Sequence, residues 1–316
     1  MRNFSRREFL GSLAIGSLVA GSSAAALGRA ASVAGPHFDF PTAPRQRLAV
    51  TSYPFRELID SPTNQERDKS KPGMDLKDFA AMVVRRFGVH NINPLGAHFR
   101  STDSGYLQEF RAAVAKAGSH LVDLGLGGGH FWDPELSRVQ ASIDYGKKWI
   151  DIAVVLGSPS VRQHLNGSPH VRPDVTRAAA NLGRLADYGA TKGIAVNLEN
   201  DSLRNEDPFF IVEVIEKVGN PYLRALPDFG NSIRGHDAAY NQRAVAKMFQ
   251  HAFNMAHVKD TVAGDDGKLY KIDLAKMFAI AKASGYRGYF SMEWEDSAGD
   301  PFYGTERLIR ESLRYL

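Results

Sequence analysis

Short apolar segments alternate with amphipathic helical patterns along this 316-residue chain, and the alternation predicts an α/β fold with a parallel sheet. Eight such strand–helix units occupy about 270 residues, which fits a closed (β/α)8 TIM barrel of the usual ~250-residue size. Glycine ends most of the predicted helices, as is typical of helix-to-strand loops. The junction glycines are Gly88, Gly118, Gly157, Gly193, Gly219 and Gly285.

Strand–helix units can also assemble into an open, doubly wound sheet instead of a closed barrel. A nucleotide-binding sheet of that kind would carry a G-x-G-x-x-G fingerprint after its first strand. The glycine cluster GLGGGH (125–130) instead follows the third predicted strand and has His130 where the last glycine would stand. We therefore interpret the cluster as a rim loop and favour the barrel.

The predicted strands are short runs of apolar and β-branched residues. They cover residues 48–55, 90–96, 120–128, 158–164, 195–200, 223–231, 255–260 and 289–295. Apolar residues at helical spacing predict the intervening helices, over residues 75–88, 104–118, 134–157, 173–193, 208–219, 238–252, 272–285 and 304–316. Asp75 is predicted to cap the first helix, and the polar residues 60–75 before it form a long loop.

The N-terminal segment has the features of an export signal. The sequence SRREFL (5–10) precedes a weakly apolar run rich in glycine, alanine and serine (10–28), followed by small residues suited to cleavage. The paired arginines with Phe9 and Leu10 resemble a twin-arginine signal, which predicts a periplasmic or secreted protein with no stable membrane anchor. An uncleaved anchor is the alternative. The predicted division is a signal over 1–34, a linker over 35–47 and one barrel domain over 48–316.

Charge and composition exclude several classes of function. Four arginines and one glutamate lie in residues 1–34, which leaves 35 basic and 34 acidic residues in the remainder. A body so near neutrality is weak grounds for binding nucleic acid. The chain has no cysteine, so disulfides, thiolate metal sites and cysteine nucleophiles are excluded.

Four side chains of metal-ligand type stand at the ends of the last four predicted strands. Glu199, Asp228, His257 and Glu293 are separated by 29, 29 and 36 residues, about one strand–helix unit each. The C-terminal ends of all strands in a parallel barrel meet at one rim, so these side chains should converge. Taken singly, each is also explained as a salt-bridge or capping residue. Together they suit Mn²⁺, Mg²⁺, Co²⁺ or Zn²⁺, with positions left for substrate oxygens.

The motifs around these residues resemble those of the xylose isomerase-like TIM barrels, a family that includes sugar isomerases, ketose 3-epimerases, hydroxypyruvate isomerases and inosose dehydratases. The motifs are NLEN (197–200), PDFGN (227–231), HVKD (257–260) and MEWE (292–295), and the resemblance extends over the whole barrel body. It implies that the four side chains bind a divalent metal. It also implies that Glu199 and Glu293 are the acid/base pair, and it favours Glu293 over Glu295 as the ligand.

Such a site suits removal of a proton from a carbon beside a carbonyl group. A divalent metal stabilises the enediolate that forms, one carboxylate takes the proton, and a carboxylate on the opposite side returns it. The fifth and eighth strands lie across the barrel from each other, so Glu199 and Glu293 can flank a substrate. We therefore expect an exported, metal-dependent keto-sugar isomerase or epimerase.

Six further residues are predicted to contact the sugar: Lys259, Asn231, His164, His130, Trp132 and His98. Lys259 follows His257 by two residues and should point inward by strand alternation, although a salt bridge with Asp260 or Glu293 is the alternative. Asn231 stands where the epimerases commonly carry histidine, which favours a different reaction. For His164, His130 and His98 the alternative to a sugar contact is an ordinary polar residue in a loop.

The sequence leaves the roles of several other residues open. Tyr53 and Phe55 could join Trp132 in an apolar wall, but ordinary core packing is the better interpretation for both. Arg162, Arg204 and Arg234 could bind phosphate, yet an exported enzyme would rarely meet sugar phosphates, so we expect an unphosphorylated substrate. Oligomerisation is open.

Three other functions compete with the isomerase. A lyase, acting as a dehydratase or cleaving a keto-glycoside, could use the same enediolate. An endonuclease IV-like nuclease would need more histidines and a basic groove. A non-catalytic carbohydrate-binding barrel would keep the fold alone.

Overall fold

The computed structural model describes residues 34–316 apart from residues 169, 265, 266 and 296–298. The predicted export segment therefore lies outside the described residues, except for its last residue. Among the described residues, the helices are all too short or too polar to cross a membrane.

The strands match the predicted order, with the third divided into two short pieces. The strands are β1 Leu48–Thr51, β2 Asn91–Asn93, β3 His120–Leu121, β4 Leu124–Gly129, β5 Ser160–Leu165, β6 Ala195–Glu199, β7 Leu223–Leu226, β8 Met255–Val258, β9 Thr261–Ala263, β10 Leu269–Lys271 and β11 Tyr289–Met292. All except β9 and β10 belong to the barrel. Those two form an antiparallel hairpin after β8, in which Val262 faces Tyr270.

Parallel pairing closes the barrel from two arcs. One arc has the order β3-β2-β1-β11-β8 and the other β4-β5-β6-β7. Isolated parallel bridges join the arcs. One runs from Leu95 to Gly125, and on the other side two run from Ala225 to Ala252 and from Asp228 to His257. The predicted (β/α)8 barrel is confirmed. Its C-terminal rim is where the loops after the strands meet.

Helices follow the barrel strands and cover them. They are α1 Phe79–Phe87, α2 Ser104–Lys116, α3 Leu136–Leu156, α4 Val175–Lys192, α5 Pro208–Val218, α6 Ala238–Phe249, α7 Leu274–Ala283 and α8 Pro301–Ser312. The six junction glycines all have φ between 61° and 75°, the left-handed conformation that glycine adopts without a Cβ clash.

Two helix starts differ from the prediction by three residues or more. A 3-10 turn over Leu76–Asp78 precedes α1, and Asp75 caps this turn by accepting from the Lys77 amide. The last helix begins three residues earlier than expected because Asp300 caps it and Pro301 occupies its first turn.

The N-terminal end of the barrel is covered by residues from the predicted linker. The rings of Phe38 and Phe40 each lie 6.0 Å from the ring of Tyr289, the first residue of β11. They pack on the lowest apolar layer of the barrel, which includes Ala49 and Met255.

Candidate metal centre and active-site cavity

The four predicted ligands meet at the C-terminal rim of the barrel. Glu199 is the last residue of β6, Asp228 lies two residues after β7, His257 is on β8 and Glu293 directly follows β11. Each offers one ligand atom, and these atoms all lie within 4.8 Å of one another. All four side chains are buried. We call them the four-residue centre.

His257 occupies the middle of the four-residue centre. Its Nδ1 lies 2.6 Å from Glu199 Oε1 and 3.2 Å from Glu293 Oε2, while its Nε2 lies 2.8 Å from Asn93 Oδ1. Burial lowers the pKa of His257, but Glu199 and Glu293 outweigh burial and raise the pKa to about 10. A proton on Nδ1 therefore takes the place that a cation would take between the two carboxylates.

Asp228 has one satisfied and one unsatisfied carboxylate oxygen. Its Oδ1 accepts hydrogen bonds from the amides of Gly230 (2.8 Å) and Asn231 (2.6 Å). Its Oδ2 is buried without a hydrogen-bond donor in the described part of the chain, 3.3 Å from Lys259 Nζ. Burial raises the pKa of Asp228 to about 7, although Lys259 opposes the rise. An unsatisfied buried oxygen beside two more carboxylates and an imidazole fits a divalent cation.

Lys259 points inward and is fully buried. Its Nζ lies 3.1 Å from Glu293 Oε2 and 2.7 Å from Glu295 Oε1, and it donates to Asn231 Oδ1 at 3.1 Å. Lys259 thus holds Glu295 at the C-terminal rim by an ion pair. Glu295 is not one of the residues of the four-residue centre.

Arg162 also belongs to the site, although its position could not be predicted from the sequence. It lies on β5 and is 5% exposed, and its Nη1 donates to Glu199 Oε2 and contacts His164 Nε2. Burial raises the pKa of Glu199, but His257 and Arg162 outweigh burial and bring the pKa to about 2. Glu199 is therefore held ionised.

A cavity of about 530 Å³ opens above the four-residue centre. Glu199 and Glu293 form part of its wall, and so do two predicted substrate contacts, His164 and Asn231. Tyr53, which we expected in the core, also lines it. Its remaining charged lining residues are Arg56, Arg162, Asp201, Arg234 and Glu295. The volume and the mixture of donors and acceptors suit a small polar molecule.

Four of the six predicted contacts do not line this cavity, namely Lys259, which is buried beneath it, and the three residues described next. His98 is 2% exposed, and its Nδ1 lies 2.7 Å from Ser52 Oγ. His130 lies in the loop after β4, where its Nδ1 is 3.7 Å from Asp133 Oδ2. Trp132 is 1% exposed and packs edge-on against Phe210. Because Trp132 packs against α5 and His130 lies beside Asp133, neither residue lines the cavity.

A buried polar network supports the centre from below. Asn93 links His257 to Asp123 by donating to the Asp123 carbonyl at 3.2 Å. Asp123 Oδ1 in turn accepts from Ser160 and from Asn197, the latter at 3.0 Å. This network was not predicted from the sequence. Polar residues inside apolar strand patterns, such as NIN (91–93), are the signal that could have revealed it.

The protein is an eight-stranded α/β barrel. Three carboxylates and an imidazole converge at the C-terminal rim of this barrel. The chain belongs to the xylose isomerase-like TIM barrel family, whose model matches residues 83–316. No curated protein sequence matches the chain significantly.

Solved structures share the fold at low sequence identity. A xylose isomerase-like TIM barrel protein from Mycobacterium smegmatis, in complex with magnesium, has a TM-score of 0.64 and 19% identity over 87% of this chain and 100% of that chain. D-allulose 3-epimerase from Methylomonas sp. has a TM-score of 0.65 and 16% identity over 88% and 100%. D-psicose 3-epimerase from Clostridium cellulolyticum H10, with D-tagatose, has a TM-score of 0.64 and 12% identity over 85% and 96%.

Proposed function

We propose that this protein is a divalent-metal-dependent isomerase or epimerase of keto-sugars. The observation that carries the proposal is the convergence of Glu199, Asp228, His257 and Glu293 within 4.8 Å at the base of a polar cavity. The similar structures support a keto-sugar substrate, because two of them are 3-epimerases of ketoses and one holds D-tagatose.

The four-residue centre would hold the metal through Glu199, Asp228, His257 Nδ1 and Glu293. Once bound, a divalent cation supplies Lewis-acid stabilisation of negative charge on a carbonyl oxygen. The unsatisfied Oδ2 of Asp228 and the two carboxylates beside His257 Nδ1 are the groups of this chain that fit it. Asn93 fixes the ring of His257 from the other nitrogen.

Glu199 and Glu293 are placed to move the proton of the reacting carbon. They belong to β6 and the end of β11, which are not neighbours in the barrel, and both line the cavity. A substrate between them would present one face to each, so one carboxylate takes the proton and the other returns it. Lys259, charged and buried between Asp228 and Glu293, keeps these carboxylates in position.

Metal removal tests this proposal. Protein stripped with a chelator should lose carbon-bound hydrogen exchange on D-allulose or D-tagatose in deuterium oxide by at least about 100-fold. Added Mn²⁺, Mg²⁺, Co²⁺ or Zn²⁺ should restore it. Metal at about 100 times its Kd should also stabilise the fold by about 2.7 kcal/mol, seen as a higher Tm. Full exchange by protein that elemental analysis shows to be free of metal would contradict the proposal.

We also propose that the protein is exported by the twin-arginine route, which carries folded proteins and would allow metal loading before export. The support is the sequence SRREFL (5–10) and the weakly apolar run after it. Changing both Arg6 and Arg7 to lysine should retain the protein in the cytoplasm, measured by cell fractionation. Changing Arg29 to lysine is the matched control, because it keeps the arginine pair. Unchanged export of the double variant would refute the route.

A further inference from the structure

A chain of polar contacts runs from the loop after β6 to the four-residue centre. Glu206, in that loop, is 3% exposed, and its carboxylate accepts hydrogen bonds from the amides of Leu165 (2.7 Å) and Ser202 (3.0 Å). Its Oε1 also lies 2.8 Å from His164 Nδ1. Because an ionised carboxylate can only accept hydrogen bonds, Nδ1 carries the proton of this contact. Three donors thus fix Glu206, and Glu206 fixes the ring of His164.

The other ring nitrogen of His164 is an acceptor. Its Nε2 contacts Arg162 Nη1, and a guanidinium group has no lone pair with which to accept. Arg162 therefore donates, and the ring of His164 is neutral in this arrangement. The same Nη1 donates to Glu199 Oε2, while Glu199 Oε1 lies 2.6 Å from His257 Nδ1. We call the chain Glu206–His164–Arg162–Glu199 the positioning relay. It occupies one oxygen of Glu199 and leaves the other for the four-residue centre.

Strand β4 leaves room for the guanidinium of Arg162. Gly125 lies on β4, and a Cβ added to it would be only 2.6 Å from Arg162 Nη2. The Nε of Arg162 is buried without an acceptor in the described part of the chain. The guanidinium is therefore positioned by the free space at Gly125 on one side and by His164 and Glu199 on the other.

We propose that His164 and Glu206 are positioning residues, which act through Arg162 to hold Glu199 as a one-oxygen ligand of the metal. The inference rests on the proposed function, because it requires a cation at the four-residue centre. While neutral His164 holds the guanidinium against Glu199 Oε2, this oxygen cannot turn toward the cation. Outer groups that orient a ligand typically change metal affinity by about 10- to 100-fold.

Protonation of His164 would break the positioning relay. The charged groups that face its ring are Arg162, Glu206 and Asp201, whose Oδ2 lies 3.7 Å from Nε2. Burial and Arg162 lower the pKa of His164, but Glu206 and Asp201 outweigh them and raise it. A protonated ring has no lone pair on Nε2, so Arg162 loses its acceptor. The relay should therefore support metal binding at alkaline pH and fail as the pH falls through the pKa of His164.

Two substitutions of His164 test the inference by calorimetric titration at pH 6 and pH 8. The titrant is Mn²⁺, or Mg²⁺, Co²⁺ or Zn²⁺ if the wild type binds that cation more tightly. Glutamine can place its amide oxygen near the position of Nε2, whereas asparagine is too short to reach Arg162. At pH 8, His164→Asn should bind the cation about 10-fold more weakly than the wild type, and His164→Gln within about 2-fold. At pH 6, His164→Gln should bind more tightly than the wild type, because its acceptor cannot be protonated.

Two further variants separate the relay from general effects on the fold. Gly125→Ala displaces the guanidinium without removing a polar group, so it should weaken metal binding at pH 8 by about 10-fold. His251→Asn is the matched control, because His251 Nε2 lies 3.1 Å from Glu216 Oε1 in a histidine–glutamate pair outside the cavity. This variant should bind like the wild type at both pH values.

Nitrogen-15 NMR of the metal-free protein reports the ring directly, and the neutral form of His164 should carry its proton on Nδ1. A neutral ring protonated on Nε2 would overturn the inference. Equal losses in His164→Gln and His164→Asn would also overturn it, because they would indicate a merely structural role, and so would wild-type affinity in His164→Asn. A wild type that binds none of the four cations would instead refute the proposed function.

Discussion

Replacing Glu293 by glutamine is expected to slow deuterium exchange on a keto-sugar by about 1000-fold, the largest effect we predict for activity. Glutamine keeps the shape of the side chain, but it cannot accept a proton and is a poor ligand for a hard cation. Glu293 lies 3.2 Å from His257 Nδ1 and 3.1 Å from Lys259 Nζ, so the charge that disappears is shared by two cations. Proton NMR of the substrate in deuterium oxide measures the rate.

Glu295→Gln is the matched comparison, because this glutamate lines the same cavity and contacts the same lysine. It stands outside the four-residue centre, so its replacement should cost about 10-fold or less, chiefly through the position of Lys259. Equal losses in the two variants would show that Glu293 has no special part in proton transfer or metal binding.

Replacing Asp228 by asparagine should have the largest effect on metal binding, at least about 100-fold in Kd. The change removes the buried oxygen that lacks a hydrogen-bond donor, while the new amide oxygen can still accept from Gly230 and Asn231. Calorimetric titration with Mn²⁺ measures the affinity. Asp144→Asn, on the exposed side of α3, should bind like the wild type. Wild-type affinity in the Asp228 variant would rule this residue out as a ligand.

The same variant should change the pH dependence of stability in metal-free protein. The pKa of Asp228 is raised from 3.8 to about 7, so its contribution to stability is present at low pH and is lost as the pH rises through 7. Between pH 6 and pH 8 the wild type should therefore lose about 1 kcal/mol more free energy of unfolding than Asp228→Asn. Urea unfolding at the two pH values measures the difference, and parallel losses would contradict the assignment.

Features with a local cause could be predicted from the sequence. Strand and helix positions follow from apolar periodicity, and glycines such as Gly88 and Gly193 mark helix ends because they adopt positive φ. The hairpin of β9 and β10 was missed because its short strands are largely exposed and pair only with each other. Its existence depends on the rim against which it lies, not on a periodic pattern.

The candidate site likewise has parts that could be predicted from the sequence and parts that could not. The spacing of Glu199, Asp228, His257 and Glu293 pointed to one rim because a parallel barrel gathers the ends of its strands. The positions of the predicted substrate contacts could not be inferred in the same way. Trp132, in the loop after β4, is buried against Phe210 of α5, whereas His164 and Asn231 line the cavity. Loop direction is set by packing on the helices, which a single sequence does not encode in any short pattern.

By itself the sequence determined the barrel and the convergence of four acidic and histidine side chains, because both depend on the regular repetition of one strand–helix unit. Only the tertiary structure decided that Arg162 lies between Glu199 and His164 and that Glu206 anchors His164. These contacts join residues on different strands and loops, and their distances depend on how the barrel closes. The arrangement of charged groups around the cavity is therefore a property of the folded rim.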